Sequence, residues 1–193
     1  MPTRSANIEL REEPMTELPR YMTVPSVFET RTVFDVIEHA DGPELREREI
    51  SRPYRKDYDS VESPLEWPTR FDVSHWTLVG AFISEERVGG AIGALSSPAL
   101  DALEGLEDAF VLWDIRVSPR AQRLGIGSLL FRRIEAWGRA RRCRELRVET
   151  QNTNVGACRF YAHQGCVLKR ANYQAYSDLP DEVQLIWSKV VGA

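Results

Sequence analysis

An apolar run that stops at two glycines and reopens as a helical stripe constrains this chain more than any other feature. Ala109 to Val117 reads as a buried strand, and Gln122-Arg123-Leu124-Gly125-Ile126-Gly127-Ser128 follows it closely. Ile126, Leu130, Ile134 and Trp137 then recur on one helical stripe, with Arg132, Arg133, Glu135 and Arg139 more exposed. Leu146 to Gln151 is strand-like again, and Asn154 to His163 reads as a short helix.

Upstream, Phe28-Thr30-Thr32-Phe34-Val36 alternates with polar residues and predicts a strand to about His39, closed by a turn at Asp41-Gly42-Pro43. Glu44 to Arg52 is the candidate return arm, polar enough to be an exposed edge. Residues 53–75, with Pro53, Pro64 and Pro68, read as an irregular connection anchored by Trp67 and Phe71. Trp76 to Ile83 and Val88 to Leu95 flank Ser84-Glu85-Glu86-Arg87 as a hairpin with a four-residue loop. A loop is expected over 96–107, and Tyr173 to Tyr176 and Val183 to Val191 read as two closing strands. Antiparallel strands first, then strand-helix-strand-helix-strand, imply a mixed α/β sheet with helices packed on it. The length suits one domain over 1–193, with 1–25 as a peripheral arm.

Composition narrows the functional classes. Hydrophobic residues at 42% and charged residues at 28% suit a globular chain rather than a disordered one. No apolar run approaches the roughly 20 residues of a membrane span, so no membrane role is expected. The first thirty residues carry Glu9, Glu12, Glu13 and Glu17 and no secretory stretch, which makes the cytoplasm the expected location. A net charge of -4 argues against a nucleic-acid partner. Residues 1–100 nevertheless hold 11 Lys/Arg against 18 Asp/Glu, while the remainder holds 14 against 11. The later half could therefore dock an anion and the earlier half a cation, although a solvated helix face would give the same count. Cys143, Cys158 and Cys166 match no zinc or redox spacing and read as buried free thiols; no metal is expected.

Two segments carry chemistry. Glycines at a helix entrance let the backbone approach a ligand, and the free amides and dipole there suit a pyrophosphate. Taken alone, Gly-x-Gly is equally compatible with a tight strand-to-helix turn, and it is neither a lysine-bearing phosphate loop nor a full dinucleotide fingerprint. The second segment is Glu149-Thr150-Gln151-Asn152-Thr153-Asn154, continuing through Cys158 to Tyr161. With Asn154 as N-cap, Asn154, Cys158 and Tyr161 share one face of the helix, and Tyr161 lies about 10 Å along the axis. A surface Glu, a structural cap and a half-buried Tyr would look the same.

Together the two segments resemble the GNAT acetyltransferase superfamily, whose Gln/Arg-x-x-Gly-x-Gly/Ala loop and Asn-x-x-Ala-x-x-Phe-Tyr helix are matched by Gln122 to Gly127 and Asn154 to Tyr161. Within it, Asp114 to Val117, Glu149 to Tyr161 and Tyr176 to Trp187 are similar to the streptothricin acetyltransferase group, as more loosely are Pro53-Tyr54 and the strand at 28–38. Cys166 departs from the Phe usual after the helix-ending glycine. The resemblance implies a mostly antiparallel sheet with a central, splayed parallel strand pair and flanking helices. It also implies acetyl-coenzyme A as co-substrate, with Ile115, Arg116 and Val117 bonding the pantetheine arm through their backbone. Arg123, Leu124, Gly125, Ile126, Gly127 and Ser128 would cradle the pyrophosphate, and Asn154 and Tyr161 would contact the cofactor from the helix side. Similarity to ribosomal-protein N-terminal acetyltransferases points to Glu149 as proton acceptor and Tyr161 as proton donor.

The chemistry suits those residue types. An alkyl amine of pKa near 10.4 must lose a proton before it attacks, and a departing thiolate must gain one. A backbone N–H of the Asp114 to Val117 strand could stabilise the oxyanion. Asp114 is a second candidate base or amine ligand, or serves only as a hydrogen-bond acceptor. The expected acceptor is a primary amine on a small cationic molecule such as a streptothricin-type antibiotic. A protein lysine or N-terminal amine, and a non-catalytic coenzyme A-binding regulatory role, are the alternatives. A homodimer is compatible with the sequence and not specified by it.

Overall fold

The computed structural model describes residues 7–95 and 106–192. Its strands are β1 (Ile8–Glu13), β2 (Val27–His39), β3 (Gly42–Asp57), β4 (Thr77–Ile83), β5 (Glu86–Leu95), β6 (Ala109–Val117), β7 (Glu145–Gln151), β8 (Val167–Asn172) and β9 (Gln184–Val190). The longer helices are α4 (Ile126–Ala140) and α5 (Val155–His163), and the short α1 (Leu18–Tyr21), α2 (Tyr58–Val61) and α3 (Trp67–Arg70) sit in the N-terminal half. Seven strands form one sheet in the order β1-β4-β5-β6-β7-β9-β8, while β2 and β3 pair separately. Only β6 and β7 run parallel; every other pairing in the large sheet is antiparallel.

Side-chain alternation explains why both faces of the sheet are covered. Phe110 and Leu112 of β6 point into the core beneath α4, whereas Ala109 and Val111 point into the opposite core with Leu18, Tyr21 and Trp67. The apolar stripe read for α4 is the buried one: Ile126, Leu130, Ile134 and Trp137 all face the sheet. Gly138 is required by packing, because a Cβ there would lie 2.3 Å from Phe110 Cε1. On the other face Trp67, Phe71, Trp76 and Trp113 pack with ring centroids 5.1 to 6.4 Å apart.

Several boundaries differ from the sequence reading. Residues 8–24, expected as a peripheral arm, are built into the domain: β1 pairs with β4, and Tyr21 is fully buried. The arm at Glu44 to Arg52 continues as strand to Asp57, and Pro53 is tolerated because the ladder jumps from Thr30↔Tyr54 to Thr32↔Glu49 around it. The β4–β5 loop has two residues rather than four, since Ile83 pairs with Glu86. Ser84 and Glu85 both take positive φ, 47° and 68°, the primed turn whose twist suits a hairpin. Tyr173 to Tyr176 is not a strand. That strand is β8, which ends at Asn172, where the side chain accepts from the Gln174 amide and turns the chain. The loop expected over 96–107 falls largely outside the described residues.

The β2–β3 hairpin is tied to the large sheet by Asn152. The Phe34 amide donates to Asn152 O at 3.0 Å, Asn152 Nδ2 donates to Phe34 O at 2.9 Å, and Asn152 Oδ1 accepts from the Val183 amide at 2.8 Å. This knot brings the end of β3 and the segment before β9 to the end of β7. Among the described residues, no helix is long and apolar enough to cross a membrane.

Candidate active site

The sheet opens in its middle. β6 and β7 pair only at Ala109↔Glu145, Phe110↔Leu146 and Val111↔Arg147. The β5–β6 register then slips between Ile92↔Asp114 and Gly93↔Leu112, a bulge at Trp113 that turns the rest of β6 away. β7 stays on β9 as far as Gln151↔Gln184. Residues 112–117 therefore have a strand partner on the β5 side and none on the β7 side, so backbone groups face a cleft. Ile115, Arg116 and Val117 lie on this edge.

α4 begins beside that edge. Arg123 and Gly125 both adopt left-handed backbone, at φ 63° and 79°. Gly125 is the N-cap, and no side chain caps the helix, which leaves its first-turn amides to be satisfied from outside. A Cβ on Gly125 would meet nothing within 4 Å, so its conformation, not crowding, calls for glycine. At Gly127 a Cβ would come 3.3 Å from Phe160 of α5. Ser128 Oγ accepts from Gln164 Nε2 at 3.0 Å, linking the two helices, while Leu124 is exposed.

From the other wall, five side chains form one hydrogen-bond chain. Asn154 Oδ1 caps α5 by accepting from the Ala157 amide at 3.0 Å, and Asn154 Nδ2 donates to the Tyr58 hydroxyl at 3.1 Å. Tyr58 Oη donates to Gln151 Oε1 at 2.6 Å, Gln151 Nε2 donates to the Tyr176 oxygen at 2.8 Å, and Tyr176 Oη donates to Glu149 Oε1 at 2.6 Å. Burial pushes the phenols of Tyr58 and Tyr176 well above their ordinary range; at Tyr176 the Glu149 carboxylate adds to the effect. Beside this chain Glu182, almost wholly buried, accepts from Tyr54 and pairs with Lys56. The Lys56 ammonium lies 5.3 and 5.8 Å from the ring centroids of Tyr58 and Tyr176.

Tyr161, on α5, is buried at 6% exposure. Burial raises its phenol far above the usual value, and Tyr58 and Asp114 are the next contributors. Asp114 is heavily engaged: its Oδ2 accepts from Tyr21 Oη at 2.6 Å and from Arg116 Nε at 2.8 Å. Arg116 also donates to Val24 O and to Asp59 Oδ2, each at 3.1 Å, and its side chain lies over the Tyr21 ring. Among the described residues, no group of acidic, His and Cys side chains is arranged to hold a metal ion.

The Acetyltransferase (GNAT) family model matches residues 43–166. The chain belongs to the GNAT acetyltransferase family. It is accordingly an N-acetyltransferase that uses acetyl-coenzyme A. A streptothricin acetyltransferase of Escherichia coli is 31% identical over 169 residues, covering 86% of this chain and 87% of that protein. Among solved structures, a nourseothricin acetyltransferase superposes with a TM-score of 0.73 at 22% identity, covering 96% of this chain and 99% of its own. A Bacillus anthracis protein assigned as a streptothricin acetyltransferase, solved with acetyl coenzyme A, superposes with a TM-score of 0.75 at 19% identity, covering 97% and 99%. At these identities the structural likenesses concern the fold. The residues present fit the acetyl-coenzyme A that the family uses: an unpaired strand edge suits the amides of a pantetheine arm, and uncapped helix amides beside the open space at Gly125 suit a diphosphate.

Lys56 and Tyr58 were missed by sequence reasoning, and Tyr54, Gln151, Tyr176 and Glu182 entered it only as parts of segments, with no role. One signal was available: Tyr54, Lys56 and Tyr58 recur at period two, and in the structure Tyr54 and Lys56 meet Glu182 before β9 while Tyr58 meets Gln151 at the β7 end.

Proposed function

We propose that this acetyltransferase modifies a primary amine on a small polycationic molecule of the streptothricin kind, with Glu149 as proton acceptor and Tyr161 as proton donor. The observation that carries the assignment of roles is the hydrogen-bond chain ending on Glu149. That chain fixes a carboxylate on β7, and its Tyr58 member is among the groups that raise the buried phenol of Tyr161 on α5. The likeness to the Escherichia coli streptothricin acetyltransferase supports the substrate class.

Acetyl-coenzyme A supplies the thioester carbonyl that the amine attacks. Backbone groups of Ile115, Arg116 and Val117 hold its pantetheine arm, and the amides of residues 123–128 hold its diphosphate. Asn154 keeps one Nδ2–H beyond the one given to Tyr58, and that donor serves the pantetheine from the helix side. Glu149 takes the ammonium proton, directly or through water, and so frees the lone pair. Tyr161 keeps its proton at Oη because burial makes a phenolate costly. The same exclusion of water disfavours a naked thiolate, which makes the phenol a suitable donor to the leaving sulfur. Asp114, gripped by Tyr21 and Arg116, shapes the wall and is not the base. Gln184, opposite Gln151 on β9, buries an Oε1 that lacks a partner among the described residues, an acceptor for a further N–H of the bound amine.

The test is thiol release from acetyl-coenzyme A against streptothricin, simple polyamines, β-lysine compounds and lysine or N-terminal peptides. Turnover is expected with streptothricin and β-lysine compounds. Turnover confined to peptides would overturn the substrate assignment.

A further inference from the structure

The chain from Asn154 to Glu149 runs in one direction. Each member donates toward Glu149 and accepts from the side of α5: the Asn154 amide to Tyr58, Tyr58 to Gln151, Gln151 to Tyr176, and Tyr176 to the carboxylate. Such a chain polarises cooperatively, so its last donor is stronger than an isolated phenol. It is not a proton wire, because the Gln151 amide passes no proton without leaving its amide form. What it can do is fix the position of the carboxylate and favour its charged state.

We propose that Tyr176 is a positioning residue for the base, and that Tyr58, Gln151 and Asn154 tie that base to the cap of α5. The proposal rests on the reading of Glu149 as proton acceptor. Through Asn154 the helix on the coenzyme side and the carboxylate on the amine side share one rigid set of hydrogen bonds, so the two reacting partners are held in a common frame. Other polar and charged groups face the same place. Arg147 and Gln151 share Glu149's face of β7, and Arg170 of β8 lies in the same row across Ile186 of β9. The Lys56–Glu182 pair, with Tyr54, closes the site from β3 and from the segment before β9. Lys56 is paired with Glu182, which leaves Tyr176 as the neutral donor between that pair and Glu149.

The experiment compares the pH dependence of kcat/KM for the wild type, Tyr176→Phe, Tyr58→Phe and Glu149→Gln, with acetyl-coenzyme A affinity measured separately by calorimetry. A hydrogen bond to a charged acceptor is worth about one to two pH units at about 1.36 kcal/mol per unit. Losing the phenol donor in Tyr176→Phe is expected to move the acid limb up by about one pH unit and to lower kcat/KM near pH 7 about tenfold. Acetyl-coenzyme A affinity should stay within about twofold. Tyr58→Phe, two links away, should move the limb the same way by less, and it carries the test if Tyr176→Phe fails to fold. A lost acid limb in Glu149→Gln together with an unmoved limb in the Phe variants would overturn the positioning role and leave the base reading intact. A wild-type acid limb in Glu149→Gln would overturn the base reading, and the positioning role with it.

Discussion

Replacing Arg116 by Met tests how the cleft wall is held. The side chain is 5% exposed and connects three segments: Asp114 on β6, Asp59 on α2, and the backbone at Val24. Methionine keeps much of the aliphatic volume and removes the cation, leaving two carboxylates without their counter-charge. Removing one member of a buried pair costs about 3–5 kcal/mol. Asp114 and Asp59 retain 17% and 20% side-chain exposure, so water relieves part of that cost and the lower end, about 3 kcal/mol, is expected. At about 2–4 °C per kcal/mol for a chain of this size, Tm should fall by about 6–12 °C. Urea unfolding at pH 7.5 measures the loss, and a loss under about 1 kcal/mol would refute the reasoning. Combining the change with Asp59→Leu should cost less than the sum of the two single changes.

Three further outcomes follow from the site. Tyr161→Phe should lower kcat about a hundredfold or more while steady-state acetyl-coenzyme A affinity changes little; an unchanged kcat would reject the phenol as the acid. Gly125→Ala should weaken acetyl-coenzyme A binding without a packing defect, since φ is 79° but no atom crowds the new methyl, whereas Gly138→Ala should lower thermal stability through its clash with Phe110 and spare KM for the coenzyme. Burial pushes the thiols of Cys158 and Cys166 up to about 12, and raises that of Cys143, so a thiol-specific disulfide reagent at pH 8 should react slowly with the native protein and titrate all three cysteines in denaturant.

How much of this was legible in the sequence depended on how local the signal was. β6, α4 and β7 carry strong periodicities, and Asn154 announces its cap within three residues of the amide it holds. β8 was missed because Val167 to Asn172 alternates weakly and lies at a sheet edge, while the aromatic pattern of Tyr173 to Tyr176 imitates a strand. The turn there instead delivers Tyr176 to Glu149. The partners of the hydrogen-bond chain come from far apart: Tyr58 reaches Gln151 across 93 positions, and Lys56 reaches Glu182 across 126. No local pattern encodes such a meeting. It depends on the Asn152 knot that lays the β2–β3 hairpin beside β7, and on a bulge at Trp113 that only the strand register makes visible.

That bulge has a consequence for cohesion. With only three paired positions joining the two parallel strands, the molecule carries a seam down its middle where ordinary main-chain bonding has been given up. A molecule lying along the seam would substitute for the missing rungs and bridge the halves on either side. Engaging the folded form alone, it would steady the whole fold by RT ln(1 + [L]/Kd). Affinity for the acyl donor and resistance to unfolding are thus two readouts of one linkage.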